Sequence, residues 1–557
     1  MFIKKLSAST TWNNSPWFIL GVFLLLIGPF SLNFHFHYPD EMYYSDAALQ
    51  MIKNGDFFTT YLGNGELRFK KPILTYWAVL AGFKIFGISA FSSRILFLAA
   101  GGALIGLVYA IGKLASGNKS IAALAGWMIA AQPLVIFSSS RSIPDILLVL
   151  FVTLSAWGVT AALKYGDDVP KKYLWMIFLG FGLAFEVKGL PAAALGFLAL
   201  GYLLVNPYQR ISWKKLFYWP AVLAGLVISV SWFVIMYAKF GPEYLNSFIE
   251  DQVGMRVGQR VTLIVRYFFM AAGLMVALFL PWLLFTGKKT ITSFLIVKDE
   301  NKAFFGFVLV WLVAIILMTS LVSKFYDRYL LPVAPLVTVG VAWMIVRGQG
   351  NNRKNLNGWG IAILAINALV LIVAVYWNIG LESPLMLAIH WMIGAGLCLF
   401  LFIIFRRNIL QFQHLSLAIM LVFFNGCLIS YPLSIPHEGV QIDDLFEEKN
   451  IPLGTKVGFI GNPHHSSKIR IGLDTDYELI NLEGDSIEQI NEYELLICGE
   501  DSIIKFELND NQSEIASINW DAKYFLEIMG SIWKGDTSLR KYELSKKYYL
   551  VETRKQR

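Results

Sequence analysis

The chain has 557 residues, of which 56% are hydrophobic and only 15% charged, with a mean hydropathy of +0.55. Soluble domains carry about a quarter charged residues, so this composition excludes an ordinary soluble enzyme and indicates a polytopic membrane protein. The net charge of +8 sits largely in loops between apolar runs, where Lys and Arg set topology, and is no footprint for nucleic acid.

Residues 1–16 are basic and polar and lead into an apolar run with no prompt small-x-small site, so they read as the lead of an uncleaved first span. A spanning helix needs about 20 mostly apolar residues. Such runs fall near 17–36, 91–112, 120–137, 145–163, 173–188, 190–205, 217–238, 266–287, 304–322, 329–346, 358–378, 385–405 and 413–431, about thirteen in all. With a cytoplasmic N-terminus every inside loop is basic, carrying for example Lys113, Lys171, Lys214, Lys289, Arg347 and Arg406. Outside then lie 38–90, 138–144, 239–265, 323–328, 379–384 and the tail after 431. Residues 73–88 are short, contain Lys84 and would invert every later loop if they crossed, so they are expected as a helix on or dipping into the outer surface.

The outer loops and the span start beside the first of them break the charge rule, since they hold Lys70, Lys71, Arg94, Arg141, Arg256, Arg260, Lys324 and Arg328. An anionic ligand on that face would account for them, as would side chains snorkelling to headgroups. The tail, 432–557, is polar, with strand-like runs at 456–461, 493–499 and 547–553, and reads as a small α/β domain outside the membrane. The division expected is a membrane domain at 1–431, including the outer loop 38–90, and an extramembrane domain at 432–557. His464 and His465 read as a loop histidine pair, too few ligands for a metal. Cys398, Cys427 and Cys498 give no disulfide framework.

The densest polar stretch follows the first span. Residues 39–55 form a short amphipathic helix, expected flat on the membrane, with Asp40 and Glu41 in its first turn and Asp46, Gln50 and Lys53 as a polar stripe. Asp40 as an N-cap and Glu41 as a first-turn acid would suffice structurally. At a lipid–water boundary such carboxylates can also serve as general base or hold a metal on a phosphate. The turn in LGNGEL, 62–67, predicts a small hairpin. Lys70 and Lys71 before Pro72 suit a lipid phosphate or an interfacial anchor.

The order of Asp-Glu, an amphipathic helix ending in Asn-Gly-Asp, and Lys-Pro followed by Tyr-Trp resembles the ArnT-like and protein-mannosyltransferase-like lipid-carrier-dependent glycosyltransferases of the GT-C superfamily. The likeness continues with Arg94 opening a span, SRSIPD at 140–145, VKGLP at 187–191 and SKFYDRYLLPVAP at 323–335, and so covers most of the chain. It implies a mainly α, GT-C-like membrane fold in the bacterial inner membrane with an extracytoplasmic tail. It also implies inverting transfer of a sugar from a polyprenyl phosphate to a lipid, glycan or protein acceptor. Asp40 then matches the catalytic acid and Glu41 its neighbour. Lys70, Lys71, Arg256, Lys324, Arg328 and Tyr329 fall to the donor phosphate, and Tyr43, Tyr44, Arg141, Asp145 and Lys188 to the substrate pocket. The chain departs from the ArnT pattern at Tyr43, where the family has Arg, and at Lys70, where it has Glu. Glu250 and Asp251 replace a Glu-His pair, so the family's zinc site is not expected, although oxygens of Glu250 and Asp251 leave room for another divalent ion. These departures argue against an aminoarabinose donor with lipid A as acceptor. Two other classes compete: a secondary transporter of a small anionic solute, which calls for charges at span centres and repeated broken helices, and an assembly protein presenting its tail.

Overall fold

The computed structural model describes residues 15–33, 39–63, 65–209, 211–250, 261–286, 299–347, 353–378, 384–406, 412–430, 438–461, 463–482, 490, 492–506, 512–518 and 545–553. In chain order the helices of the membrane part are α1 (Pro16–Asn33), α2 (Pro39–Asn54), α3 (Leu74–Phe86), α4 (Ala90–Ser116), α5 (Lys119–Ala130), α6 (Pro133–Ser139), α7 (Pro144–Tyr165), α8 (Lys171–Lys188) and α9 (Leu190–Val205). They continue with α10 (Trp219–Phe240), α11 (Pro242–Ile249), α12 (Val261–Leu283), α13 (Asp299–Ser320), α14 (Ala334–Arg347), α15 (Arg353–Asn378), α16 (Pro384–Arg406) and α17 (Phe412–Ser430). Each of the thirteen apolar runs coincides with a helix or a helix pair. Among the described residues eight helices are long and apolar enough to cross a membrane, and α5 with α6 makes a ninth. The chain is a multi-pass, mainly helical membrane protein.

Two expected spans are not straight. The run at 120–137 breaks between α5 and α6 with a bend of 61°. Pro133 opens α6, and a proline there lacks the N–H that would continue α5. The run at 329–346 begins as a 3-10 turn, Asp327–Val333, with Pro332 inside it. Trp311 Nε1 donates to the Pro332 carbonyl at 2.9 Å and pins the turn to α13. Helix α3 has 13 residues, about 20 Å at the usual rise, and is too short to cross. It buries Tyr76, Val79 and Phe83.

Helix α2 does not lie with its polar stripe open at a membrane surface. Asp46 is wholly buried, and Lys53 Nζ donates to the Tyr477 carbonyl at 3.3 Å. The stripe faces the C-terminal region, because carboxylate and ammonium groups find donors and acceptors there that lipid could not offer. That region comprises α18 (Glu438–Glu448), β1 (Lys456–Ile460), α19 (Pro463–Gly472), β2 (Glu478–Asn481), β3 (Leu495–Gly499), α20 (Glu500–Lys505), β4 (Gln512–Ile518) and β5 (Ser545–Glu552). The strands form one sheet in the order β2-β1-β3-β5-β4. Strand β1 pairs parallel with β2 and β3, while β5 pairs antiparallel with β3 and β4. Val457, Phe459, Ile497 and Leu550 pack with Ile442 and Phe446 of α18 in a core separate from that of the membrane helices. Strands β2 and β4 escaped the sequence reading, and His464 and His465 lie in the first turn of α19 rather than in a loop. His465 Nδ1 is hydrogen-bonded with the Tyr548 hydroxyl.

Candidate active site

The first turn of α2 carries both acids, and they face different surroundings. Glu41 is fully buried and takes Arg94 in a two-point grip, from Nε at 2.5 Å and Nη2 at 2.8 Å. The backbone N–H and hydroxyl of Ser142 donate to the same carboxylate at 3.0 and 3.1 Å. Arg94 Nη1 adds a bond to the Ser31 carbonyl at 3.2 Å. A guanidinium at the head of an apolar span requires such a partner. The Glu41 carboxylate is therefore fully engaged: it links α2 to Arg94 of α4 and to Ser142 between α6 and α7, and Arg94 carries the link on to α1.

Asp40 is the open member, with 43% of its side chain exposed. Arg328 Nη2 donates to its Oδ2 at 2.9 Å, bringing together residues far apart in the chain. Arg328 Nε lies 3.7 Å from Asp145 Oδ2, and Lys188 Nζ donates to Asp145 Oδ1 at 2.6 Å. The Lys188 ammonium stands 5.0 Å from the centre of the Tyr329 ring. Asp40, Arg328, Asp145 and Lys188 thus form a row of alternating charge contributed by α2, the 3-10 turn, α7 and α8. The last two of these are held at helix ends by Pro144 and by Gly189, whose φ of +65° ends α8 and starts α9.

Beneath this row lies a cavity of about 290 Å³ between α7, α9, α13 and the 3-10 turn. Asp145, Lys188, Arg328 and Tyr329 line its polar end, and Leu195 and Met318 belong to its apolar wall. A larger groove of about 550 Å³ between α12, α13 and α14 contains none of the expected site residues.

The loop to Lys71 is built around aromatic rings. Leu62 N–H bonds to the Glu66 carbonyl at 2.9 Å and Tyr61 pairs with Leu67, so the hairpin is present. Trp77 and Trp232 donate indole N–H groups to the carbonyls of Phe57 and Phe58, and Lys239 bonds Asp56 at 2.6 Å. Partial burial alone would raise the Asp56 carboxyl, but bonds from Lys239, Thr59 and the loop backbone hold it down at about 2. Arg68 is buried, with Nε donating to the Tyr76 hydroxyl at 3.1 Å and its guanidinium 4.3 Å over Tyr43. Lys70 is exposed and Lys71 buried. Pro72 Cγ lies 4.0 Å from where a Cβ on Gly189 would sit, which sets the Lys-Pro turn beside Lys188.

Several expected pocket residues lie elsewhere. Tyr44 is buried against the Tyr76 ring, at 4.9 Å between centres, and supports Arg68 instead of lining the cavity. Burial raises its phenol well above the ordinary value, and burial raises the half-buried Tyr43 as well. Arg141 stacks over Phe137 at 5.5 Å, and Lys324 is exposed on the loop after α13; neither lines the cavity. Arg256 and Asp251 lie outside the described residues. Glu250 is exposed at the end of α11. Among the described residues no group of three or more His, Cys, Asp or Glu side chains is placed to hold a metal.

Residues 70–235 match the family model described as dolichyl-phosphate-mannose-protein mannosyltransferase. An uncharacterized protein of Aquifex aeolicus is 30% identical over 347 residues, 60% of this chain and 65% of its own length. The undecaprenyl phosphate-alpha-4-amino-4-deoxy-L-arabinose arabinosyl transferase 2 of Proteus mirabilis is 25% identical over 386 residues, 67% of each chain. The chain thus spans about two thirds of the length of these relatives. The crystal structure of ArnT from Cupriavidus metallidurans bound to undecaprenyl phosphate superposes with a TM-score of 0.70 at 18% identity, covering 89% of this chain and 95% of that one. In sequence the chain is thus similar to these transferases over about two thirds of its length, and its fold is that of ArnT.

Proposed function

We propose that the chain is a glycosyltransferase that moves a sugar from a polyprenyl-phosphate carrier to an acceptor on the outer face of the membrane, with inversion. The observation that carries this reading is a groove that is apolar along its length and ends at Lys188 and Arg328. A lipid phosphate has that polarity: its isoprenoid enters between α7, α9 and α13 and its phosphate meets the cations. The relatives named as undecaprenyl-phosphate-dependent transferases, and the ArnT structure with that lipid bound, support the donor class.

In this reading the acceptor oxygen attacks the anomeric carbon from the face opposite the phosphate. The bond from that carbon to the phosphate oxygen breaks, and polyprenyl phosphate leaves with the electron pair. Arg328, Lys188 and Lys71, with Lys70 at the rim, stabilise the charge that grows on the leaving phosphate. Asp40, half open and held by Arg328, orients a hydroxyl acceptor and takes its proton. Asp145 fixes Lys188 and Arg328 relative to each other. Residues 1–431 act as the catalytic unit in the inner membrane and 432–557 as an extracytoplasmic unit above it.

The test is transfer from synthetic polyprenyl-phosphate donors carrying a pentose or a hexose, assayed with purified protein in nanodiscs and membrane extracts as acceptor. Transfer by the wild type and its loss in Asp40→Asn is the expected outcome. Transfer that persists in Asp40→Asn overturns the catalytic assignment. Failure to bind any polyprenyl phosphate overturns the donor class.

A further inference from the structure

We propose that Arg470 is a positioning residue for the donor site: through Asp46 the C-terminal α/β region holds in place the helix and hairpin that present Asp40, Lys70 and Lys71. The inference rests on the function proposed above.

One carboxylate is shared by three segments of chain. Asp46 of α2 accepts from Arg470 Nε at 3.0 Å and Nη2 at 2.9 Å, and from Ser467 Oγ at 2.7 Å. It also accepts the backbone N–H of Gly63 at 3.1 Å, in the hairpin, and Gln50 Nε2 at 3.2 Å. The side chains of Asp46 and Arg470 are 0% and 4% exposed. Arg470 Nη1 continues to the Leu479 carbonyl of β2 at 3.2 Å, so the clamp is tied into the sheet. A Cβ on Gly63 would run into the Arg470 guanidinium, so the hairpin sits directly on the arginine.

What the clamp grips is the donor site's own scaffold. Asp40 opens the helix that carries Asp46, and the hairpin leads without a break into Arg68, Lys70 and Lys71. The ion pair is not what joins the two parts by apolar contact: the α/β region has its own core, and Ile471 beside Arg470 packs into the core of the membrane helices. A buried ion pair contributes little over an apolar contact of the same shape, but it fixes geometry and penalises misalignment, since either charge left alone is costly. A bidentate arginine sets both distance and angle.

The experiment uses the full chain in nanodiscs. For wild type, Arg470→Met, Arg470→Lys, Ser467→Ala and the double variant Asp46→Asn/Arg470→Met, it measures affinity for undecaprenyl phosphate, donor KM, kcat and melting temperature. The expected result is that Arg470→Met weakens donor binding and raises KM by about tenfold or more, since small misplacements are costly at such sites. Arg470→Lys and Ser467→Ala fall between it and wild type. The double variant, with no charge buried alone, regains melting temperature but not donor affinity. Donor affinity and KM at wild-type values in the double variant would overturn the inference and leave the pair a structural contact. If Arg470→Met does not fold, the other variants read the same quantities. Failure of the proposed function is seen separately, as no binding of undecaprenyl phosphate by the wild type or as transfer that survives Asp40→Asn.

Discussion

Asp40 and Glu41 are neighbours in the chain and occupy opposite surroundings. Glu41 is sealed with Arg94 between four segments, while Asp40 stands 43% exposed against Arg328, which lines a cavity. Both are carboxylate–arginine pairs at the same helix end, and both could be taken for catalytic acids from sequence. Burial separates them. A pair cut off from solvent exchanges nothing with a substrate and joins the parts around it. A pair with one member lining a cavity can open toward a ligand and close again.

Breaking the sealed pair should have the largest effect. Arg94→Met leaves a buried carboxylate alone and should cost about 3–5 kcal/mol, read as loss of folded protein in detergent by size exclusion and thermal melting. A protein that melts like wild type would erase the contrast. Breaking the open pair should act on chemistry alone: Asp40→Asn should reduce transfer by roughly 10²–10⁴-fold with the melting curve unchanged. Lys71→Met should remove one charge-assisted bond to the donor phosphate, worth about 1.5–3 kcal/mol, and raise donor KM more than it lowers kcat.

The pH response sharpens the comparison through a third pair. Burial alone would raise the Asp46 carboxyl, but the charge of Arg470 and hydrogen bonds from Arg470, Ser467 and Gln50 outweigh it and hold it below the ordinary value. A depressed carboxylate contributes its stability above the unfolded value of about 3.9 and loses it as pH falls through the lower folded value. The α/β region should therefore stay docked through neutral and mildly acidic pH and release only below about pH 4, followed by protease access to residues 46–63. Release between pH 5 and 7 would contradict the pairing. The smallest effect belongs to the exposed pair Asp56–Lys239, where Lys239 is 45% exposed: Asp56→Asn should change stability by about 0.2–1 kcal/mol.

The apolar runs, the hairpin at 62–67 and three strands were legible in the sequence because each is a local pattern of period or turn chemistry. The meeting of Asp40 with Arg328 was suggested by loop charge, which assigned both to outer loops. The partners of Glu41 and Asp46 were not, since nothing local in SSRILF or KIRIG states which distant acid the arginine meets. The signal available was Arg94 itself, an ionised group heading an apolar helix, which demands a buried counter-charge somewhere. The surroundings of Tyr44 and Arg141 were illegible for a similar reason. Proximity in the chain says little about which way a ring or a guanidinium turns once a neighbour such as Tyr76 or Phe137 offers it a face.

The 61° bend between α5 and α6 has a geometric consequence. The bend re-aims the second half of the run, so that Ser142 reaches Glu41 from a direction in which a straight rod from Lys119 would not point.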